Sequence, residues 1–342
     1  MLEQRPDKPR VVLAMSRATW AQLVTPELAS RLRAAAQADL ETVIEDFGQP
    51  GAEPALRAAE ILLTGWGAPQ IGAAALDKTP QLRAIVHAAG TVKPFVSAEV
   101  YARGVQVSAA VEANAVPVAE FTFAAVVFAA KRVSAFAGQY RARRDLTARN
   151  IPGLAARAGT NGITVGVVGA SRVGRRVLAL LRNLDVSVLV SDPYLGEGDA
   201  AAMGVTRTGL DELVSRSDII TLHAPALPGT ARMIDRDRLA AMRDGAILIN
   251  TARGALVDTE ALTAELVSGR ISAVLDVTDP EPLPPDSPLY DLPNVQLTPH
   301  IAGSVGNEVP RLLEHAVAEV ERLAAGLPLA YPVLADDLAR IA

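Results

Sequence analysis

Three residues in the second half of the chain have the types and settings for acid–base chemistry beside an anion: Arg253, Glu281 and His300. His300 follows the apolar stretch Val295 to Leu297 and lies between Pro299 and Gly303-Ser304, which puts it on a loop opening into a terminal helix. The other three histidines have plainer settings. His87 ends a strand beside a glycine loop and reads as packing or a loop anchor, and His223 follows a strand as a cleft lining without proton transfer. His315 lies among Leu312, Leu313, Ala316 and Val317 as a structural residue of the last helix. Arg253 stands between Ala252 and Gly254 just past a strand, where a planar guanidinium can bind a carboxylate at two points and polarise an adjacent carbonyl. Glu281 is set between Pro280 and Pro282. Alone it reads as a solvated loop acid; within reach of His300 it would stabilise the imidazolium and fix which nitrogen carries a shuttled proton.

A second constellation runs from Val165 to Asp192. Aliphatic residues from Ile163 to Val168 form a short buried strand, and Gly169 follows where the chain must turn. A helix then places Val173, Val177, Leu180, Leu181 and Leu184 along one face. A second apolar strand, Val186 to Val190, leads to Asp192. Strand, glycine turn, helix, strand and acid in that order make a dinucleotide-binding unit, because unpaired N–H groups and the helix dipole at a helix N-terminus attract a pyrophosphate. Gly169 permits the turn and Gly174 lets the helix pack closely; the middle position, usually glycine, is Ser171. Its small hydroxyl should alter phosphate contacts without abolishing them. Asp192, eighteen residues after Gly174, is placed to receive ribose hydroxyls and to repel a 2'-phosphate, so NAD is expected over NADP.

These groups need a framework, and the composition allows one. With 342 residues, half of them hydrophobic, the chain can build two cores. A net charge of −5 gives no basic footprint for nucleic acid or an anionic membrane. The absence of cysteine excludes disulfides, thiolate metal sites and a cysteine nucleophile, and no metal is expected. Met1 to Arg10 is charged and lacks the apolar run of a signal peptide, so the expectation is cytoplasmic. Ala115 to Ala130 is apolar but broken by Pro117, Glu120 and Thr122, short of the roughly 20 residues of a membrane span, and reads as a core helix.

In chain order, strands are expected at Val11 to Met15, Ile61 to Leu63, Ala84 to His87 and Val105 to Val107, with a helix capped by Thr25-Pro26 running through about Ala36. A long helix begins near Pro117, and Arg141 to Gly162 reads as a surface connection. After Asp192 come strands at Asp218 to Leu222, Ala246 to Ile249, Ile271 to Leu275 and Val295 to Leu297, with a helix from Asp258 to Ser268. Each of these strands runs into a polar loop, where an open parallel sheet binds its ligands.

Four ordered stretches resemble the D-isomer-specific 2-hydroxyacid dehydrogenases: Gly169 to Gly174 with Asp192, Ile249 to Asp258, Leu275 to Pro284, and Leu292 to Ser304. The resemblance runs from about Leu82 to Pro332. It implies that Arg253 binds the substrate, that His300 is the acid/base and Glu281 its partner, and that the coenzyme is NAD. Gly169, Ser171, Arg172, Val173, Gly174, Asp192, His223, Pro225, Thr251, Ala252 and Asp276 then line the cofactor, Asp276 at the carboxamide of the nicotinamide. Gly90 and Thr91 take the place of the family's carboxylate-binding loop and Asn114 that of a nearby asparagine, although Ala89-Gly90-Thr91-Val92-Lys93 departs from the usual two glycines and aspartate. The implied fold is α/β, with two doubly wound parallel-sheet domains: a flavodoxin-like substrate domain, 1–116 completed by 305–342, and an inserted Rossmann domain, 117–304. Crossing helices near Val116 to Ala135 and Ser304 to Ala325 would join them, and closure would expel water from the cleft. The implied activity is hydride transfer between nicotinamide and a small 2-oxo or D-2-hydroxy acid such as glyoxylate, hydroxypyruvate or a phosphoglycerate-like acid, in a homodimer. An NAD(H)-sensing corepressor of the same family is the alternative.

Overall fold

The structure, a computed structural model, describes residues 8–339. It divides into two compact units, one holding the chain up to Asn114 and again from Ser304, the other Ala115–Gly303.

The first unit is built on five parallel strands: β1 (Arg10–Ala14), β2 (Gln37–Ile44), β3 (Ile61–Thr64), β4 (Ala84–His87) and β5 (Gln106–Ala109). Their order, β2-β1-β3-β4-β5, is the flavodoxin order expected. β3 and β4 are buried at every position, as parallel strands covered on both faces must be. The helix Pro26–Ala35 starts as expected: Thr25 accepts a hydrogen bond from the Leu28 amide and Pro26 occupies the first turn. The last helix, Val309–Ala324, is shorter than expected because Gly306–Glu308 forms a 3-10 turn before it. It buries Leu312, Leu313, Val317 and Val320 in the core that holds Leu13 and Leu32, each side chain contributing about 1.5–3 kcal/mol. Arg31 adds a two-point bond to Glu321, at 3.0 and 2.9 Å.

The second unit carries seven parallel strands: β6 (Thr164–Val168), β7 (Ser187–Ser191), β8 (Thr206–Arg207), β9 (Ile219–Leu222), β10 (Ile247–Asn250), β11 (Ser272–Leu275) and β12 (Val295–Leu297). The order β12-β11-β10-β9-β6-β7-β8 is that of a Rossmann sheet extended by one strand, with strand order reversing between β6 and β9. The helix Arg172–Leu181 follows β6, but its buried arc is Gly174, Val177, Leu178 and Leu181. Val173, Leu180 and Leu184 are only half-buried, because the arc is turned to bring Gly174 against the sheet.

Two helical expectations change. The long helix runs Val111–Ala130, starting before Pro117 and carrying that proline inside it. At 20 residues and a mean hydropathy of 1.6 it is long and apolar enough to cross a membrane, yet Ala119, Val126 and Ala130 pack in a core with Val165 and Val177. The chain breaks at Arg132, which adopts φ 55°, and resumes as Val133–Arg143. The segment expected as plain connection then holds a 3-10 turn, Leu146–Asn150, and a short helix, Pro152–Ala155.

Candidate active site

Arg253, Glu281 and His300 all lie in the second unit, on loops at the carboxyl ends of β10, β11 and β12. β10 ends at Asn250, and that side chain shapes the loop after the strand: its Oδ1 accepts from the Ala252 amide at 3.1 Å and its Nδ2 donates to the Arg253 carbonyl at 2.9 Å. Thr122 spends its hydroxyl hydrogen on the Val118 carbonyl, so Thr251 donates to Thr122 across 2.8 Å and ties the loop to the long helix. The Arg253 guanidinium donates to the Ala252 carbonyl at 2.6 Å. Burial pulls it below the usual arginine range, opposed by the charge of Glu281; a guanidinium so placed remains a cation. Gly254 makes the next contact possible. A Cβ there would lie 2.0 Å from the Thr278 carbonyl carbon, so the Arg253 loop touches backbone to backbone with the loop that leads to Glu281.

His300 is held in an unusual backbone state, φ 55°, where a non-glycine residue costs about 1–3 kcal/mol and needs its surroundings to keep it there. Asp276 supplies them. Its Oδ1 accepts from Thr298 Oγ1 at 2.7 Å and from the Ile301 amide at 2.8 Å, its Oδ2 accepts from the Ala302 amide at 2.8 Å, and its carbonyl takes the His300 N–H at 3.0 Å. This buried carboxylate, assigned from the resemblance to the coenzyme, is bonded in the structure to the loop that carries the histidine. The imidazole Nδ1 meets Glu281 Oε1 at 2.7 Å, with both side chains about half exposed, so Nε2 is the nitrogen left to face a ligand.

The glycine turn stands where strand order reverses. Gly169 has φ 95°, and a Cβ on it would lie 2.7 Å from the Ala224 amide and 2.8 Å from the His223 carbonyl carbon. A Cβ on Gly174 would sit 2.0 Å from the Gly169 carbonyl oxygen. Ser171 caps the helix, accepting from the Gly174 amide at 3.3 Å and keeping its own O–H to donate. Asp192 lies against the same turn: Oδ2 accepts from the Ala170 amide and Oδ1 from the Tyr194 amide, both at 2.7 Å. A turn with no room for side chains, a ten-residue helix starting at Arg172-Val173 and an acid beside it fit a dinucleotide. Buried His223 has one more mark of a ligand surface, since its Nδ1 has no hydrogen-bond partner. Pro225 follows it, half-buried.

Gly90, Thr91 and Asn114 belong to the first unit. Asn114 Oδ1 accepts from the Ser304 amide at 3.0 Å, and its Nδ2 would lie 3.5 Å from a Cβ on Gly90. Thr91 Oγ1 faces the Lys93 amide at 3.4 Å.

His87 and His223 are both buried, and each faces a threonine hydroxyl. His87 Nδ1 lies 2.9 Å from Thr64 Oγ1 with its ring 4.7 Å from Phe95, and His223 Nε2 lies 3.0 Å from Thr221 Oγ1. Loss of solvent pushes each imidazole down to about 3. Each is therefore neutral when folded and takes up a proton on unfolding below about pH 6.5, so both stabilise the fold above that value and the contribution is lost as the medium becomes more acid. Between pH 7 and pH 5 the unfolding free energy should fall by about 2 kcal/mol for each histidine. Urea titrations at the two pH values check this; an H87N variant should lose part of the dependence, and an unchanged midpoint would contradict the burial argument.

Residues 123–302 match the family model for the NAD-binding domain of D-isomer-specific 2-hydroxyacid dehydrogenases. The chain is 35% identical over 257 residues to the D-3-phosphoglycerate dehydrogenase of Mycobacterium leprae, an alignment that covers 74% of this chain and 47% of that protein. It is 33% identical over 250 residues to the glyoxylate reductase of Korarchaeum cryptofilum, covering 73% and 75%. The crystal structure of the TT0316 protein from Thermus thermophilus superposes with a TM-score of 0.74 at 32% identity, over 95% of this chain and all of that one. The chain spans about half the length of the phosphoglycerate dehydrogenases it matches.

Proposed function

Because the chain belongs to the D-isomer-specific 2-hydroxyacid dehydrogenase family, we propose that it is an NAD-dependent oxidoreductase interconverting a 2-oxo acid and the corresponding D-2-hydroxy acid. The observation that carries this is the 2.7 Å pair of His300 and Glu281 on the loops beside Arg253. When bound, NADH supplies the hydride that reaches the carbonyl carbon. Arg253 holds the substrate carboxylate and draws electron density from the carbonyl. Protonated His300 donates from Nε2 to the carbonyl oxygen, and Glu281 holds the imidazolium at Nδ1. Hydride and proton together give the alcohol, and in the reverse direction neutral His300 takes the hydroxyl proton. Asp276 fixes the histidine loop, Thr251 and Ala252 line the coenzyme side, and Gly90 and Thr91 offer backbone N–H groups to a carboxylate. A homodimer goes with this reading, supported by the helix Val133–Arg143, in which no residue is buried, and by exposed Phe128, Val133, Tyr140 and Leu146 along two grooves of about 580 and 480 Å³.

The test is a 2-oxo acid panel assayed by loss of nicotinamide absorbance with NADH and with NADPH, on fractions sized by light scattering. The expected result is turnover at twice the 35.8 kDa chain mass, with NADPH at least about tenfold poorer because Asp192 repels its 2'-phosphate. A preference for NADPH contradicts that role of Asp192. Nucleotide binding with no turnover of any acid supports the corepressor alternative instead.

A further inference from the structure

β5 is the last strand of its sheet, and the far side of an edge strand presents backbone groups that no neighbouring strand pairs. In the first unit the chain comes back to cover them. After the helix Val309–Ala324, the Leu327 amide donates to the Arg322 carbonyl at 2.9 Å and Arg322 Nε donates to the Pro328 carbonyl at 2.9 Å. Pro332 then bridges Ser108 in the antiparallel sense, and the Val333 amide donates to the Val107 carbonyl at 2.7 Å. Leu329 is buried in the core that holds Ile61 and Leu63, and Val333 in the core that holds Leu62. Successive residues of β3 face opposite sides of the sheet, so residues 329–333 form a strap that crosses the sheet edge from one face to the other.

The latch of this strap is a carboxylate. Glu319 lies on the last helix among Leu312, Leu313, Val317 and Val320 and is itself 1% exposed. Its Oε2 accepts from the Ala330 amide at 3.0 Å and its Oε1 from the Tyr331 amide at 2.9 Å, so one side chain takes two consecutive amides of the strap. An ionised oxygen is a stronger acceptor than a neutral one. One turn earlier on the helix, the ring of His315 lies 4.6 Å from the ring of Tyr331.

The strand under the strap leads to the loop proposed for the substrate carboxylate. Directly after β5, the Ala110 amide donates to the His87 carbonyl at 2.9 Å and to the Ala89 carbonyl at 3.0 Å, and Ala89 is the residue before Gly90-Thr91. The Ala110 carbonyl accepts from the Asn114 amide at 3.0 Å, and Asn114 is the side chain beside Gly90. Ala110 therefore fixes both the loop and the asparagine. We infer that Glu319 is a positioning residue of the proposed site: it latches the strap onto β5, and β5, through Ala110, sets the Ala89-Gly90-Thr91 loop that receives the carboxylate. This rests on the 2-oxo acid reading above. A loop set loosely binds the carboxylate less well in the ground state and the transition state alike, which raises KM and leaves kcat nearly unchanged. A mere loss of folded protein does the opposite, lowering kcat at an unchanged KM.

The test compares the wild type, E319A and E319Q. It measures kcat and KM for glyoxylate and pyruvate at saturating NADH, NADH binding by fluorescence, and amide hydrogen exchange over residues 84–114 and 327–334, which needs no turnover. Glutamine keeps the size of the side chain and one accepting oxygen, so E319Q serves where E319A does not fold. KM should rise about 10- to 100-fold in E319A and less in E319Q, with kcat within about twofold of the wild type. NADH binding should be unchanged, and exchange should quicken at Ala110 and residues 89–91 as well as in the strap. An active wild type and an unchanged KM in both variants, with or without a fall in kcat, overturn the role of Glu319 and leave the dehydrogenase standing. Exchange that spreads from the strap to Ala110 and the loop, with no 2-oxo acid reduced by the wild type, keeps the relay and removes the dehydrogenase. A strap that opens without the loop, again with no acid reduced, overturns both.

Discussion

Replacing His300 by glutamine should lower kcat about 10²- to 10⁴-fold while NADH still binds. Glutamine is near in size and can hydrogen-bond a carbonyl oxygen, but its amide is neither a general acid nor a general base. An imidazole can be both, and the position of this one is set twice over: at the backbone by Asp276, and at Nδ1 by Glu281 Oε1 at 2.7 Å. The coenzyme turn, Gly169 to Gly174, belongs to a different strand end, so NADH binding followed by fluorescence serves as the control for folding. An E281Q enzyme should fall less far, because the amide oxygen still accepts from the ring at Nδ1 and only the carboxylate charge is lost. Undiminished turnover in H300Q removes His300 from the chemistry.

Gly254→Ala should be nearly as damaging, although it adds a single methyl and touches no titrating group. Cβ is fixed by the backbone and has no rotamer to escape by, and its position is 2.0 Å from the Thr278 carbonyl carbon. The loops after β10 and β11 must move apart, and those loops carry Arg253 and Glu281. Overpacking of this kind costs about 1–3 kcal/mol of stability. An ångström of misplacement at the reacting groups costs on the order of 10²-fold in rate. G198A is the control: that glycine lies in the helix Glu197–Met203 with open space where a Cβ would go, so activity should be unaffected. Equal kcat/KM in G254A and the wild type would show that the two loops need no such contact.

The strands that the sequence reveals are those buried on both faces. Ile61–Thr64, Ala84–His87 and Ile247–Asn250 are apolar runs with abrupt ends, and the structure places them within a residue or two of expectation. β2 escaped because Gln-Ala-Asp-Leu-Glu-Thr-Val-Ile lies at a sheet edge and buries only Leu40, Val43 and Ile44, which gives neither a run nor a clean alternation. β8 is two exposed residues long and exists only through its pairing with β7. Pro117 misled in a different way: proline favours the first turn, but here the helix continues through it on the strength of its packing.

In the site, the glycine turn and the types of Arg253 and His300 were legible, since each asks for a particular residue after a strand; Glu281 alone read as a solvated loop acid, and only the resemblance paired it with His300. The supports were not legible. Asn250 could have been suspected as a polar residue closing an apolar strand, but its two bonds around the Arg253 loop depend on how the loop folds back. Asp276 bonds amides about 25 residues further along the chain, and no local pattern points to that partnership.

Asp192 carries two duties. Besides the coenzyme contact proposed for it, its carboxylate takes the amide of buried Ala170 at 2.7 Å and so props the glycine turn. An exchange of Asp192 for an apolar or basic residue, made to admit a phosphorylated coenzyme, leaves that amide without its acceptor, at about 1–3 kcal/mol. Coenzyme switching in this chain is therefore a redesign of two positions, one to admit the phosphate and one to rebuild the prop.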